Sequence, residues 1–383
     1  MEEKRNRLKT PLYASLSLAF ASFGDAFLYP FLPVNSISVG VPVVWIGILL
    51  SVNRFVRIIS NSWMVHLFSK YGLRFITIIA VLLAITSTAG YAFANTIFLW
   101  LIFRIAWGVS FSAMRISTLG YALQHSRQGF SLGLTRGVQE SGPMIALLLA
   151  PVLLTNLSTS TIFLLLATIS LPAVYFAWAL PTFEDKTPSV SGKTFLQFPS
   201  VLNMITFATA FLIDGIIIVV LGILFLHHKE SITVVSATTV AALYLGYRRV
   251  CLVLFSPAGG WMADKVGIST MFNASLAFVI AGLVMLSFGW IEAGAIIIFT
   301  FYSIHAAITP GNASYQQSHP LSAVSANVTW RDIGAAVGTL AGGVLITSDH
   351  LTTILIIAIF SLVLLLLIHL GTVQKSLKLL LWK

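Results

Sequence analysis

An all-α integral membrane protein with twelve transmembrane helices in two pseudo-symmetric six-helix bundles is the fold class this sequence predicts. Three observations lead there. Hydrophobic residues make up 57% of the 383 and charged residues 9%, whereas a soluble domain is about a quarter charged. Apolar runs long enough to cross a bilayer, roughly 20 residues each, follow one another along the chain. Ionisable residues inside those runs recur at nearly constant spacing between the two halves.

Taken in order, the spans fall near residues 11–34, 42–65, 75–93, 96–120, 131–155, 160–182, 200–226, 234–258, 269–290, 293–315, 323–347 and 351–371. Lys4, Arg5, Arg7 and Lys9 before the first run, with Ala19-Phe20-Ala21 inside it, imitate a signal peptide. The run continues to about Val34, so a retained first helix is expected. The polar stretch Thr182 to Pro199 holds Glu184, Asp185, Lys186 and Lys193 and divides the chain. The expected units are residues 1–182, a linker at 183–199, and residues 200–383.

Orientation follows from the cations between spans. With the N-terminus inside, thirteen lysines and arginines fall on the cytoplasmic side, including Lys70, Arg74, Arg127 and Lys265, and only Lys229 falls outside. A multi-pass protein of the cell (inner or plasma) membrane with both termini cytoplasmic is expected, in contact with the lipid bilayer and monomeric.

Other classes fit poorly. One cysteine, Cys251, excludes an intramolecular disulfide and a cysteine-based metal cluster. The net charge of +10 lies in loops, tails and apolar helices rather than on a basic soluble face, so nucleic acid is not an expected partner. No grouping of nucleophile, base and metal ligand points to an enzyme, and no cofactor is expected. His227-His228, at an outer loop, lacks a third ligand.

Eight arginines lie within spans, Arg54, Arg57, Arg104, Arg115, Arg136, Arg248, Arg249 and Arg331, against four acids, Asp25, Glu140, Asp214 and Asp332. Each central charge costs at least ~2.5–3.5 kcal/mol to insert, so it faces a partner or a wet cavity. Arg54 and Arg249 are 195 residues apart, Asp25 and Asp214 189, Glu140 and Asp332 192. Three matched positions in three helix pairs indicate a duplicated six-helix unit. An arginine surplus favours an anion, and guanidinium suits carboxylate or phosphate. Arg54, Arg57, Arg104, Arg248 and Arg249, with Tyr302 and His305 of the tenth helix, are the candidate substrate-binding residues. Arg115 and Arg136, near the inner ends of their helices, are open to a second reading as snorkelling side chains. Asp25 and Asp214 are candidate proton carriers, with Glu140 and Asp332 as weaker ones that also suit inter-helix locks. Gly133/Gly137 and Gly334/Gly338/Gly342 form small-residue faces for close helix contact.

The chain is organised around a charged hinge between two apolar runs, Gly259-Gly260-Trp261-Met262-Ala263-Asp264-Lys265-Val266-Gly267. This pattern resembles the loop signature of the major facilitator superfamily of secondary transporters. A degraded copy lies 195 residues earlier at Ser69-Lys70-Tyr71-Gly72-Leu73-Arg74, with serine at the acidic position. The resemblance implies gating roles for Gly259, Gly260, Asp264, Lys265 and Gly267 and for Lys70, Gly72 and Arg74; Arg331 is grouped with them. Arg104 through Gly108 resembles the fourth-helix motif whose arginine is implicated in proton coupling. Gly142-Pro143 resembles the motif of drug and proton antiporters. Together these imply proton-coupled export of a small organic anion or amphiphilic metabolite, such as a siderophore or metallophore, by alternating access and driven by the proton gradient. Proton-coupled import of an organic anion, or a non-transporting receptor or assembly partner of the same fold, are the alternatives.

Overall fold

The computed structural model describes residues 2–35, 37–42, 44–182, 199–228, 234–315, 319–345 and 351–381. Among these there is no strand. Helix α1 is Glu2–Ala21 continued as Phe23–Asn35, followed by a short 3-10 turn at Ile37–Val39. Then come α2 (Val44–Tyr71), α3 (Leu73–Tyr91), α4 (Ile97–Leu123), α5 (Gln128–Asn156) and α6 (Thr159–Ile169, continued as Pro172–Trp178). Helix α7 runs Val201–Thr209, a π-helical stretch Ala210–Ile217, and Ile218–His228. It is followed by α8 (Val234–Val266), α9 (Ile268–Ser287), α10 (Ile291–Ser314), α11 (Pro320–Leu345) and α12 (Leu351–Leu381). The expected linker falls mostly in residues 183–198 and Lys229 in 229–233, both outside the described residues, as are the side chains of His227 and His228.

Nine of these helices are long and apolar enough among the described residues to cross a membrane. The three that are not, α2, α8 and α11, carry Arg54, Arg57, Arg248, Arg249 and Arg331. Polarity is thus concentrated in helices placed between the halves. Exposure has the opposite chemistry: Phe360 is 72% exposed and Leu148 70%, as side chains facing lipid would be.

Helix ends follow local rules. Thr96, Ser158 and Ser200 accept from the backbone N–H three residues on, in α4, α6 and α7. The α2–α3 and α8–α9 turns each pivot on one glycine with positive φ, Gly72 at 82° and Gly267 at 96°. They are 195 residues apart, so the repeat read from charges is also present in the backbone. With both ends of the described chain, these turns define one face of the bundle, called the basic face below.

The expected hinge is shorter than its motif. Gly259 and Gly260 are not loop residues; α8 continues through them to Val266. Their missing side chains let neighbouring helices approach closely: Gly259 lies against Ile304 of α10, and Gly260 against the Gly129 carbonyl of α5. Along the same seam Gly133 and Gly137 approach the Ser256 and Val253 carbonyls, while Gly334 and Gly338 of α11 lie on Phe207 and Phe211 of α7. Lipid offers no hydrophobic drive for helices to associate, so backbone approach at small residues supplies the contact.

Each half has its own apolar core. In the first, Phe27, Phe31, Trp100 and Phe163 pack at the end away from the basic face. In the second, Ile213, Phe272, Leu283 and Phe299 belong to one large cluster. A smaller cluster crosses between halves, with Leu119, Ala122 and Leu123 of α4, Leu132 of α5, and Val324 and Val328 of α11.

Candidate functional site

The first helix of each half is irregular beside its carboxylate. Ser22 interrupts α1 three residues before Asp25, and the π-helical stretch of α7 contains Asp214. Asp25 Oδ1 accepts from the Arg104 guanidinium and from Asn53 Nδ2 at 3.4 Å. Arg104 is fully buried and also donates to the backbone carbonyls of Leu49 and Leu50. It is held inside the first half, away from the seam, so it is in no position to meet substrate directly in this state. Asp214 accepts more: the Arg248 guanidinium on Oδ1, and Arg331 at 2.9 Å and the Tyr302 hydroxyl at 2.7 Å on Oδ2.

The other two acids bridge the halves. Asp332 of α11 holds Arg57 of α2 at 3.3 Å and Arg115 of α4 at 3.1 Å, and accepts from Asn61 Nδ2 at 3.3 Å. Glu140 of α5 holds Arg136 on its own helix at 2.9 Å and Arg249 of α8. Three acids are therefore each shared by two arginines, giving three triads that carry one positive charge apiece. Asp25 and Arg104 are paired one to one. Arg54 donates to the Thr339 hydroxyl of α11 at 3.1 Å, and no carboxylate among the described residues pairs with it.

Between the halves a cavity of about 30 Å³ is lined by Arg115, Arg136 and Arg331 with Tyr302, His305 and Asn327. His305 Nδ1 lies 3.4 Å from the Ser275 hydroxyl. Toward the basic face the apolar cluster of α4, α5 and α11 closes the seam. There Asp264 accepts from the backbone N–H groups of Gly129 at 2.7 Å and Phe130 at 2.9 Å, so an acid of the second half caps the first turn of α5. Its twin position in the repeat, Ser69, instead donates to the His66 carbonyl of its own helix. Lys265, Lys70 and Arg74 stack over Trp261, Tyr71 and Trp178. Among the described residues, side-chain hydrogen bonds latch the halves at the second hinge and not at the first.

This is a bundle closed at one face around a buried cationic centre, and its sequence carries the matching family pattern: the model of the Major Facilitator Superfamily matches residues 14–338. The chain belongs to the Major Facilitator Superfamily. Its fold is shared with solved members at low identity. The human organic anion transporter MFSD10 (TETRAN) superposes with a TM-score of 0.74 at 14% identity, over 94% of this chain and 99% of that one. The E. coli fucose:proton symporter FucP gives 0.75 at 14%, over 94% and 96%. A bacterial homologue of the iron transporter ferroportin, in an outward-facing state, gives 0.65 at 12%, over 95% and 98%. No curated protein matches by sequence. As a superfamily member the chain is a multi-pass membrane transporter.

Of the residues expected at the site, Arg57, Arg249, Glu140 and Asp332 meet across the seam, and Arg248, Arg331, Tyr302 and Asp214 meet within the second half. Arg331, grouped in the sequence with the gating loops, is a cavity arginine. The snorkelling reading of Arg115 and Arg136 is overturned: Arg115 is 6% exposed and each side chain turns inward onto an acid. Burying the guanidinium against a carboxylate replaces the need to reach the interface. Asn53, Asn61 and Thr339 were missed. Only their polarity inside apolar runs signalled them, which neutral residues share with many structural positions.

Proposed function

We propose that this transporter carries a small organic anion across the membrane by alternating access, with a proton as coupling ion. The observation that supports it is the set of guanidiniums facing the seam between the halves and outnumbering the acids that hold them. A substrate carboxylate can replace a protein carboxylate on a triad, because both present the same bidentate acceptor to the fork of an arginine. Asp25 is the proposed proton site. It has one arginine where the other acids have two, and its side chain is 17% exposed against 5% for Asp332, 9% for Asp214 and 12% for Glu140. Both its hydrogen bonds go to Oδ1, leaving Oδ2 for a proton.

Charge also bears on direction. An anion and a proton bring opposite charges to one chamber, so each favours the other's binding, and co-transport follows more naturally than exchange. With the basic face cytoplasmic, as its cations suggest, this favours proton-coupled import over the export that the Gly142-Pro143 resemblance implies. Proteoliposomes with a trapped pH dye and a panel of anions from lactate to citrate test it. Uptake of an organic anion together with internal acidification is the expected result. No flux of any anion, beside an active control transporter, would overturn the reading.

A further inference from the structure

We infer that the substrate carries at least two acid groups and places one on Arg54 and the other on Arg57, prising Asp332 away. This rests on the anion-transport reading above. Arg54 is the repeat twin of Arg249, and Arg249 crosses the seam to Glu140. Asp332 is the twin of Glu140, so symmetry would pair it with Arg54. It is instead taken by Arg57 and Arg115. Arg54 is left about one turn farther from the basic face than Arg57, donating across the seam to the neutral Thr339 hydroxyl. An arginine inside a membrane protein needs an anionic or aqueous partner, and its hydrogen bond to α11 points it between the halves rather than into lipid.

The spacing sets the ligand. Residues three apart on a helix have Cβ atoms about 5–6 Å apart, within the span of a short dicarboxylate held by two guanidiniums. A single carboxylate on Arg54 would leave Arg57 bound to Asp332 and the seam intact. A second acid group on Arg57 competes with Asp332, and the contact it weakens is one that holds α2 to α11. Recognition of the second acid and release of the basic face are then one event.

Thermal unfolding of the purified protein in detergent, at matched ionic strength with acetate, succinate and citrate, tests this. Succinate or citrate should shift the midpoint and acetate should not. Arg54→Gln should weaken the apparent affinity for the responding anion about ten- to hundredfold, as expected when a charged hydrogen-bond partner is lost. Thr339→Glu supplies an internal acid: its midpoint without ligand should rise, and the response to succinate or citrate should disappear. Equal shifts with acetate, no shift with any of the three, or an unchanged response in both variants would overturn the inference. Flux of a monocarboxylate in proteoliposomes would leave the anion reading standing while this one falls.

Discussion

Asp25 and Asp214 occupy the same place in the two halves, yet their surroundings differ. Asn53 beside Asp25 is the twin of Arg248 beside Asp214, 195 residues apart, and Arg104 and Tyr302 occupy the fourth and tenth helices at 198. The second half adds Arg331 from α11. One carboxylate is thus saturated by two cations and a hydroxyl, and the other is left with one cation and an amide. The scaffold is matched in the two halves while the side chains at matched positions differ, so Asp214 is held by three groups and Asp25 by two.

The largest test of this contrast removes each charge in turn. Asp214→Asn strands Arg248 and Arg331 against each other, and breaking a buried pair costs about 3–5 kcal/mol, so a strong fall in unfolding temperature is expected. Asp25→Asn should cost clearly less, because Arg104 keeps its bonds to the Leu49 and Leu50 carbonyls. Equal losses would dissolve the contrast. Next, Asp332→Asn deprives Arg57 and Arg115 of their shared acid and should open the basic face. In a Cys251→Ser background, labelling of Leu123→Cys by a thiol reagent applied from that face should speed up about tenfold, a shift of about 1.4 kcal/mol. Asn53→Arg gives the first half the cation of the second. It should hold Asp25 charged and remove the pH dependence of uptake while the protein still folds; retained dependence would move the proton elsewhere. Smallest, Asp264→Ala should cost about 1 kcal/mol through the lost cap of α5, and Ser69→Ala a few tenths, read as midpoint differences.

Twelve spans, the duplication and the inward charges were legible because membrane insertion penalises every exception so heavily that an arginine in an apolar run must be explained. Which arginine meets which acid was not legible. Glu140 and Asp332 read as locks, as found, but Arg331 went to Asp214 rather than its sequence neighbour's partners, since adjacent helical residues point about 100° apart. Arg115 and Arg136 were ambiguous for a related reason: position along a span tells how deep a side chain starts, not which way it turns. The hinge motif misplaced its own boundary: the eighth span was expected to end near residue 258, whereas the helix runs on to Val266 and the close approach at Gly259 and Gly260 takes place inside it.

The apolar cluster of Leu119, Ala122, Leu123, Leu132, Val324 and Val328 is drawn from both halves, so separating them wets it. Wetting oily surface is unfavourable in proportion to the area exposed, about 25 cal/mol per Å². Opening that side therefore carries a cost set by this cluster, and small ions drawn to the positive interior meet a dry barrier beneath it.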